Sequence, residues 1–330
     1  MPRQARLDVP GALHHIMVRG INKTVVFRDD EDKDRFLQRL GENVTAAQAS
    51  VYAWVLMDNH VHILFKSGKE GISAVMRKLL TWYAQYHNRR YHRTGHLFEN
   101  RYKSVLCDED TYLLVLVRYI HLNPARAKIV TTMDQLDRYV WSGHRAIMGK
   151  ATYPWMDAAH VLAQFGSTRI KAVTAYRTFM REGLPMERIP ELTGGGLIRS
   201  QGGWSQVIAM RRRGLKEEYD ERILGGSDFV NAILKEAEDR QIRQIKHRRS
   251  GKTIEKIIDE ECKSHQISPK ELKAGSKRRR VSDARAVIAY RCREELGESA
   301  AEIARHSGVN TSCIVRSIER ATGKNKLQKA

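Results

Sequence analysis

The residues best equipped for chemistry in this 330-residue chain are His60 and His62, in the run DNHVHILF. An apolar strand with a two-residue period points both imidazoles to one face, where two nitrogens can grip one cation. Taken alone, the pair fits better as two polar residues on a solvated strand face, and it is the context that changes this. Tyr119 and Asn123 stand four apart just before Pro124, so on a helix they share a face. An amide oxygen can supply a third hard ligand, and a phenol hydroxyl a nucleophile. That set suffices for phosphodiester cleavage. A divalent cation held by His60, His62 and Asn123 would polarise the scissile phosphate, and Tyr119 would attack phosphorus. Because a free phenol titrates near ~10, the cation or a neighbouring cationic side chain must help to activate it. A covalent phosphotyrosine conserves bond energy and so permits rejoining without ATP.

Other tyrosines compete for that role. Tyr83 and Tyr86 fall on an apolar helical stripe, while Tyr91 and Tyr102 lie among arginines, where they could stack on bases or touch phosphate. Tyr119 has an amide ligand-type partner, Asn123, one turn away. Arg89, Arg90, Arg93, Arg101 and Lys103 flank the site as phosphate-backbone contacts or as solubilising surface charge. His14 and His15 alternate across a strand, so at most one faces the site, and neither is assigned. Glu99 is a weaker candidate for organising the metal.

The elements that must position these groups follow from periodicity. Residues 12–18 read as a strand, and Asp30 or Asp32 caps a helix over 33–47 with Phe36, Leu37, Leu40 and Val44 as its buried stripe. Strands at 50–57 and 61–66 flank a short polar connection, and a helix follows over 71–92. HLFENRYKSVLC reads as a further strand, and a last helix over 108–122 stops at Pro124. Strand, helix, strand, strand, helix, strand, helix predicts an α+β domain of ferredoxin-like type over residues 1–130, an antiparallel sheet backed by helices.

Residues 131–238 read as a helical extension and linker, in which Trp141, Tyr153, Trp155, Phe165 and Tyr176 pack onto the first domain. Gly194 to Gly196, Gly202 and Gly203 mark a flexible joint, without the GK[ST] that a phosphate loop requires. Residues 239–330 form an all-α domain. From Asp239 to Arg280 there are fourteen Lys or Arg against six Asp or Glu. This run enters a capping box, Ser299 to Glu302, then a helix, a turn at Gly308 and a second helix capped by Asn310. Helix, glycine turn and helix make a helix-turn-helix, with Thr311, Ser312 and Arg316 placed to reach duplex DNA.

Composition agrees. The formal charge of +20 calls for a polyanionic partner, and 42% hydrophobic residues suffice for ordinary cores. Four widely spaced cysteines signal neither a zinc knuckle nor a disulfide framework. No signal peptide or membrane span is apparent, so a soluble, cytoplasmic protein with no membrane partner is expected. Oligomeric state is left open by the sequence.

WVLMDNHVHILF, RGINKTVVF, YHNRRYHRTGHLFENRYKS and YLLVLVRYIHLNPARA together resemble the HUH single-tyrosine transposases, IS200-like, and among them the REP-associated tyrosine transposases. The resemblance runs over about residues 1–130 and continues more loosely to DERILGGSDFV. It implies that His60 and His62 bind the metal, Tyr119 is the nucleophile and Asn123 the third ligand. It further implies magnesium or manganese, single-stranded hairpin DNA as substrate, and cleavage to a 5′-phosphotyrosine and a free 3′-hydroxyl. Asp58 departs from the proline many relatives carry there, which removes no ligand. Residues 251–321 resemble the DnaA-type helix-turn-helix, although Asn310, Thr311 and Ser312 differ from the usual initiator pattern. The alternative function is a DNA-binding regulator that has lost catalysis and only recognises hairpins or duplex.

Overall fold

The structure is a computed structural model that describes residues 7–68, 71–185, 220, 222–226, 228–236, 247 and 250–327. The glycine joint at 194–203 and the opening of the basic run at 239–246 lie outside the described residues. Two compact units divide between Ala232 and Ile233.

The first unit is built on β1 (Leu13–Arg19), α1 (Asp30–Ala46), β2 (Ser50–Met57), β3 (His60–Lys66), α2 (Ser73–Arg90) and β4 (Lys103–Cys107). Its sheet runs β2-β3-β1-β4 with every one of these pairs antiparallel, the ferredoxin-like order that the element sequence predicts. Both crossovers, β1-α1-β2 and β3-α2-β4, put their helices on one face if each is right-handed. Val61, Ile63 and Phe65 of β3 alternate with its histidines and fill the core on that side, where Phe27, Phe36 and Tyr83 meet edge to face or tilted at 5.1–5.4 Å.

Local chemistry explains where the elements start and stop. The cap of α1 is Asp29, whose carboxylate accepts the Asp32 amide, rather than the expected Asp30 or Asp32. Asp32 is instead fully buried, accepting the Arg28 amide at 2.9 Å and pairing with Arg90 at 2.7 Å. At the β2–β3 turn the Asp58 carbonyl accepts the amides of Val26 and Phe27, and its carboxylate pairs with Lys33 at 3.0 Å. Asp58 thus points to α1. The fourth strand is shorter than expected, because residues 96–102 pair with β1 only through a bridge between Gly20 and Phe98. After α3 (Glu109–His121) the chain does not simply stop at Pro124. It turns into α4 (Asn123–Arg126), with the proline in the first turn where no amide is needed.

The first unit continues well past residue 130, through α5 (Met133–Arg138), α6 (His144–Ile147), α7 (Ala158–Ala163) and α8 (Arg169–Gly183). Tyr176 is buried, with Trp141, Tyr153, Trp155 and Phe165 packed on the same core as the sheet. The loops carrying Trp141 and Trp155 run beside β2, accepting the amides of Leu56 and Val51. A short β5 (Ile223–Leu224) pairs in parallel with β4. Both sheet edges are thereby covered.

The second unit packs α9 (Ile254–Ser264), α10 (Pro269–Lys273), α11 (Arg279–Leu296), α12 (Ala300–Ser307) and α13 (Thr311–Leu327) around Ile257, Leu272, Val281, Ile288, Cys292, Ile303 and Ile314. Ser299 accepts the Glu302 amide at 3.1 Å, but the Glu302 carboxylate turns to Arg305 and His306, so only half of the expected capping box forms. Gly308 ends α12 at φ +66°, and a Cβ there would lie 2.1 Å from the Lys273 carbonyl oxygen. Asn310 caps α13 by accepting the Cys313 amide at 2.8 Å. All four cysteines are free thiols, and among the described residues no helix is long and apolar enough to cross a membrane.

Candidate active site

Strand register assembles the site. Across the β1–β3 ladder Met17 stands opposite His62 and Arg19 opposite His60, so His15, Met17, Arg19, His60 and His62 share one sheet face. Helix α3 packs on β2 and β3. It brings the Tyr119 ring within 5.8 Å of His62 and 5.7 Å of His15, both edge-on, while the His60 and His62 rings lie 5.3 Å apart. Tyr119, His62 and His15 are buried and His60 is half-buried.

The polar contacts here have a direction. The Asn59 amide nitrogen donates to the Lys23 carbonyl at 3.1 Å, which turns its oxygen to His60 Nδ1 at 2.6 Å. His60 must therefore carry its proton on Nδ1, which makes Nε2 the nitrogen able to ligate a cation. Asn123 donates its amide nitrogen to the carbonyls of Tyr119 at 3.0 Å and Ile120 at 3.4 Å. Both partners are acceptors, so the side-chain oxygen is the atom turned away from the helix. Arg126, seven residues after Tyr119, lays its guanidinium over the phenol ring at 4.7 Å and donates to the Tyr119 carbonyl at 2.6 Å.

Two imidazoles and an amide oxygen suit a divalent cation that completes its shell with water and phosphate oxygens. Among the described residues there is no group of three or more His, Cys, Asp and Glu that could hold a metal.

The rival tyrosines are engaged elsewhere. Tyr83 is fully buried and donates to the Val26 carbonyl at 2.7 Å, and burial pushes its phenol far up. Tyr86 meets Arg90, Tyr91 bonds Asp32 at 2.9 Å, and Tyr102 lies 3.3 Å from Ser73 Oγ. Of the flanking cations, Lys103 extends from β4 opposite Met17, on the site's face. Arg90 is instead tied to Asp29, Glu31 and Asp32 around the start of α1. Arg89 and Arg101 are exposed and Arg93 is half-buried. Glu99 is exposed, its amide bonded to the Arg19 carbonyl. At the second unit, Thr311 and Ser312 are exposed at the start of α13, and Arg316 is exposed with its Nε on the Ser312 carbonyl.

Sequence reasoning missed Arg126 and left His15 open. The spacing of seven from Tyr119, two helical turns, was the available signal for Arg126. For His15, alternation halves the choice with His14, but only the β1–β3 register selects between them.

Residues 9–123 match the family model described as Transposase IS200 like. The matched stretch holds His60, His62 and Tyr119 and ends on Asn123. Residues 254–320 match the model for the bacterial dnaA protein helix-turn-helix. Two separate stretches of the chain are thus similar to an IS200-like transposase and to a DnaA-type helix-turn-helix. Among solved structures, a REP-associated tyrosine transposase bound to a REP hairpin aligns at 17% identity and a TM-score of 0.38, covering 48% of this chain and 92% of that one. No curated protein matches.

The first unit also carries a buried polar chain behind α3. His121, two residues after Tyr119, lies 2.9 Å from the Tyr176 hydroxyl, which lies 2.8 Å from His144 Nδ1; His144 Nε2 reaches Asp137 at 2.9 Å. Asp137 is held well below the usual carboxylate range, first by the hydrogen bond from His144 and further by Lys150 and Arg177. With an ionised acceptor at one end, the donors run in one sense: His121 Nδ1–H to Tyr176, Tyr176 to His144, His144 Nε2–H to Asp137. The chain ties α3 to α5, α6 and α8.

Proposed function

We propose that this protein cleaves and rejoins hairpin-bearing single-stranded DNA through a 5′-phosphotyrosine on Tyr119, with a divalent cation, magnesium or manganese, held by His60, His62 and Asn123. The observation that carries this reading is the gathering of Tyr119, His60 and His62 on one sheet face inside the stretch that matches the IS200-like family. A bound cation would polarise the scissile phosphate and stabilise the charge that develops on its oxygens.

The chain's own residues do the rest. Tyr119 loses its phenolic proton, and its oxygen forms a bond to phosphorus as the bond to the 3′-oxygen breaks. The 3′-oxygen takes up a proton and leaves as a free hydroxyl, while the 5′-phosphate stays on the tyrosine. Rejoining runs the same displacement backwards from a second 3′-hydroxyl, and Tyr119 is restored. Arg126 places positive charge beside the phenol and fixes the backbone that carries it. Lys103 and the exposed Arg89 and Arg101, with Arg93, supply contacts to the phosphate backbone. Thr311, Ser312 and Arg316 bring the helix-turn-helix domain onto adjoining duplex.

The deciding experiment incubates the protein with end-labelled single strands bearing hairpins, with magnesium, and resolves the products on a denaturing gel. A protein–DNA adduct in the wild type, absent from Tyr119→Phe while hairpin binding persists, supports the reading. Binding without any adduct would favour the non-catalytic regulator, and an undiminished adduct from Tyr119→Phe would move the nucleophile.

A further inference from the structure

His15 is almost fully buried on β1, where it stands opposite Leu64 of β3 and Val105 of β4. The strand's two-residue period makes it the diagonal neighbour of His62, within reach for a long side chain. Its Nε2 lies 2.9 Å from His62 Nδ1, and the two rings stack at 5.1 Å with 27° between their planes. The same ring meets Tyr119 edge-on at 5.7 Å. One side chain thus touches both a proposed cation ligand and the proposed nucleophile.

A histidine that binds a cation through one nitrogen is usually oriented by a hydrogen bond from the other. Asn59 makes that bond to His60, with the proton direction fixed by the Lys23 carbonyl. At His62 the nitrogen that meets His15 Nε2 at 2.9 Å is Nδ1. We propose that His15 is the positioning residue of His62: its Nε2 accepts the Nδ1 proton of His62, holding that ring so that Nε2 meets the cation. His15 must then carry its own proton on Nδ1. This inference rests on the reading of His60 and His62 as the cation-binding pair.

Manganese alone is the probe, titrated into the full-length protein and followed by the electron paramagnetic resonance signal of the free ion. His15→Phe keeps a packed ring and removes the acceptor, so it should weaken manganese binding by roughly 10- to 100-fold. His15→Gln, whose amide oxygen can accept near the Nε2 position, should restore most of the affinity. Both should still bind hairpin DNA in chelator, which reports a folded domain. Manganese binding lost in His60→Ala but unchanged in His15→Phe would overturn the role of His15 alone. Binding unchanged in both would overturn the cation reading beneath it.

A second measurement needs no variant. With magnesium bound to wild-type protein, two-bond nitrogen–proton spectra of labelled histidines should show His62 and His15 both as Nδ1–H tautomers. A proton on His62 Nε2 under those conditions would overturn the proposal.

Discussion

Arg126 covers the ring of Tyr119, its guanidinium carbon 4.7 Å from the ring centroid, and Nη1 holds the Tyr119 carbonyl at 2.6 Å. A fixed positive charge beside a hydroxyl that must lose its proton favours the ionised form, and the same side chain anchors the end of α3. Arg126→Met keeps most of the stem and removes the charge. Cleavage should fall about tenfold, equivalent to ~1.4 kcal/mol and within the range of a partly desolvated cation–π pair. Single-turnover rates at saturating hairpin DNA check this, and an unchanged rate would leave Arg126 a structural anchor.

The ligand set predicts a graded response. Chelator should abolish cleavage, with magnesium or manganese restoring it, and His60→Ala or His62→Ala should lower the rate at least ~100-fold. Asn123→Ala should cost less, since water can partly replace one neutral oxygen. Adduct yield against metal concentration measures all three. Cleavage that persists in chelator would recast the histidines as acid and base.

Buried histidines set a stability window for the first unit. Burial lowers His14 from 6.5 to about 4, against the opposing charge of Asp8, and burial also lowers His144 despite its bond to Asp137. Both are neutral in the folded chain, and on unfolding they take up protons below about 6.5. Their contribution is therefore complete above that pH and is lost as pH falls below about 6.5, for His14 down to about 4, by at most ~1.4 kcal/mol per pH unit for each. Asp137 is lowered as well, so its contribution is complete above the ordinary carboxylate range and is lost only as pH falls through and below that range. Urea midpoints between pH 7.5 and 4.5 should fall accordingly, and His14→Phe should flatten the slope. An equal slope in that variant would mean that His14 does not contribute.

At the second unit, the exposed Thr311 and Ser312 open α13, whose first turn holds no acidic residue. Thr311→Glu with Ser312→Glu should lower affinity for duplex DNA at least ~10-fold while leaving cleavage of short hairpins unchanged. Arg316→Ala should reduce the salt slope of binding by about one if it meets a phosphate. Equal duplex binding by both variants would remove α13 as the contacting helix.

How much of this was legible without coordinates follows from the range of each interaction. The strand–helix order, the HVH pair on one face, the Tyr119–Asn123 pair one turn apart and the caps around Gly308 are local, so periodicity and residue type determined them. The choice of His15 over His14 was not, because it depends on pairing β1 with β3 in one register out of several. Arg126 over Tyr119 required a helix that resumes at Asn123 instead of ending at Pro124. The bond from Tyr176 to His121 spans 55 residues, and nothing local in either segment announces it. Sequence thus determined which groups could do chemistry and on which elements they ride; tertiary structure decided which of them meet, because register and helix packing are settled by burying the whole core at once.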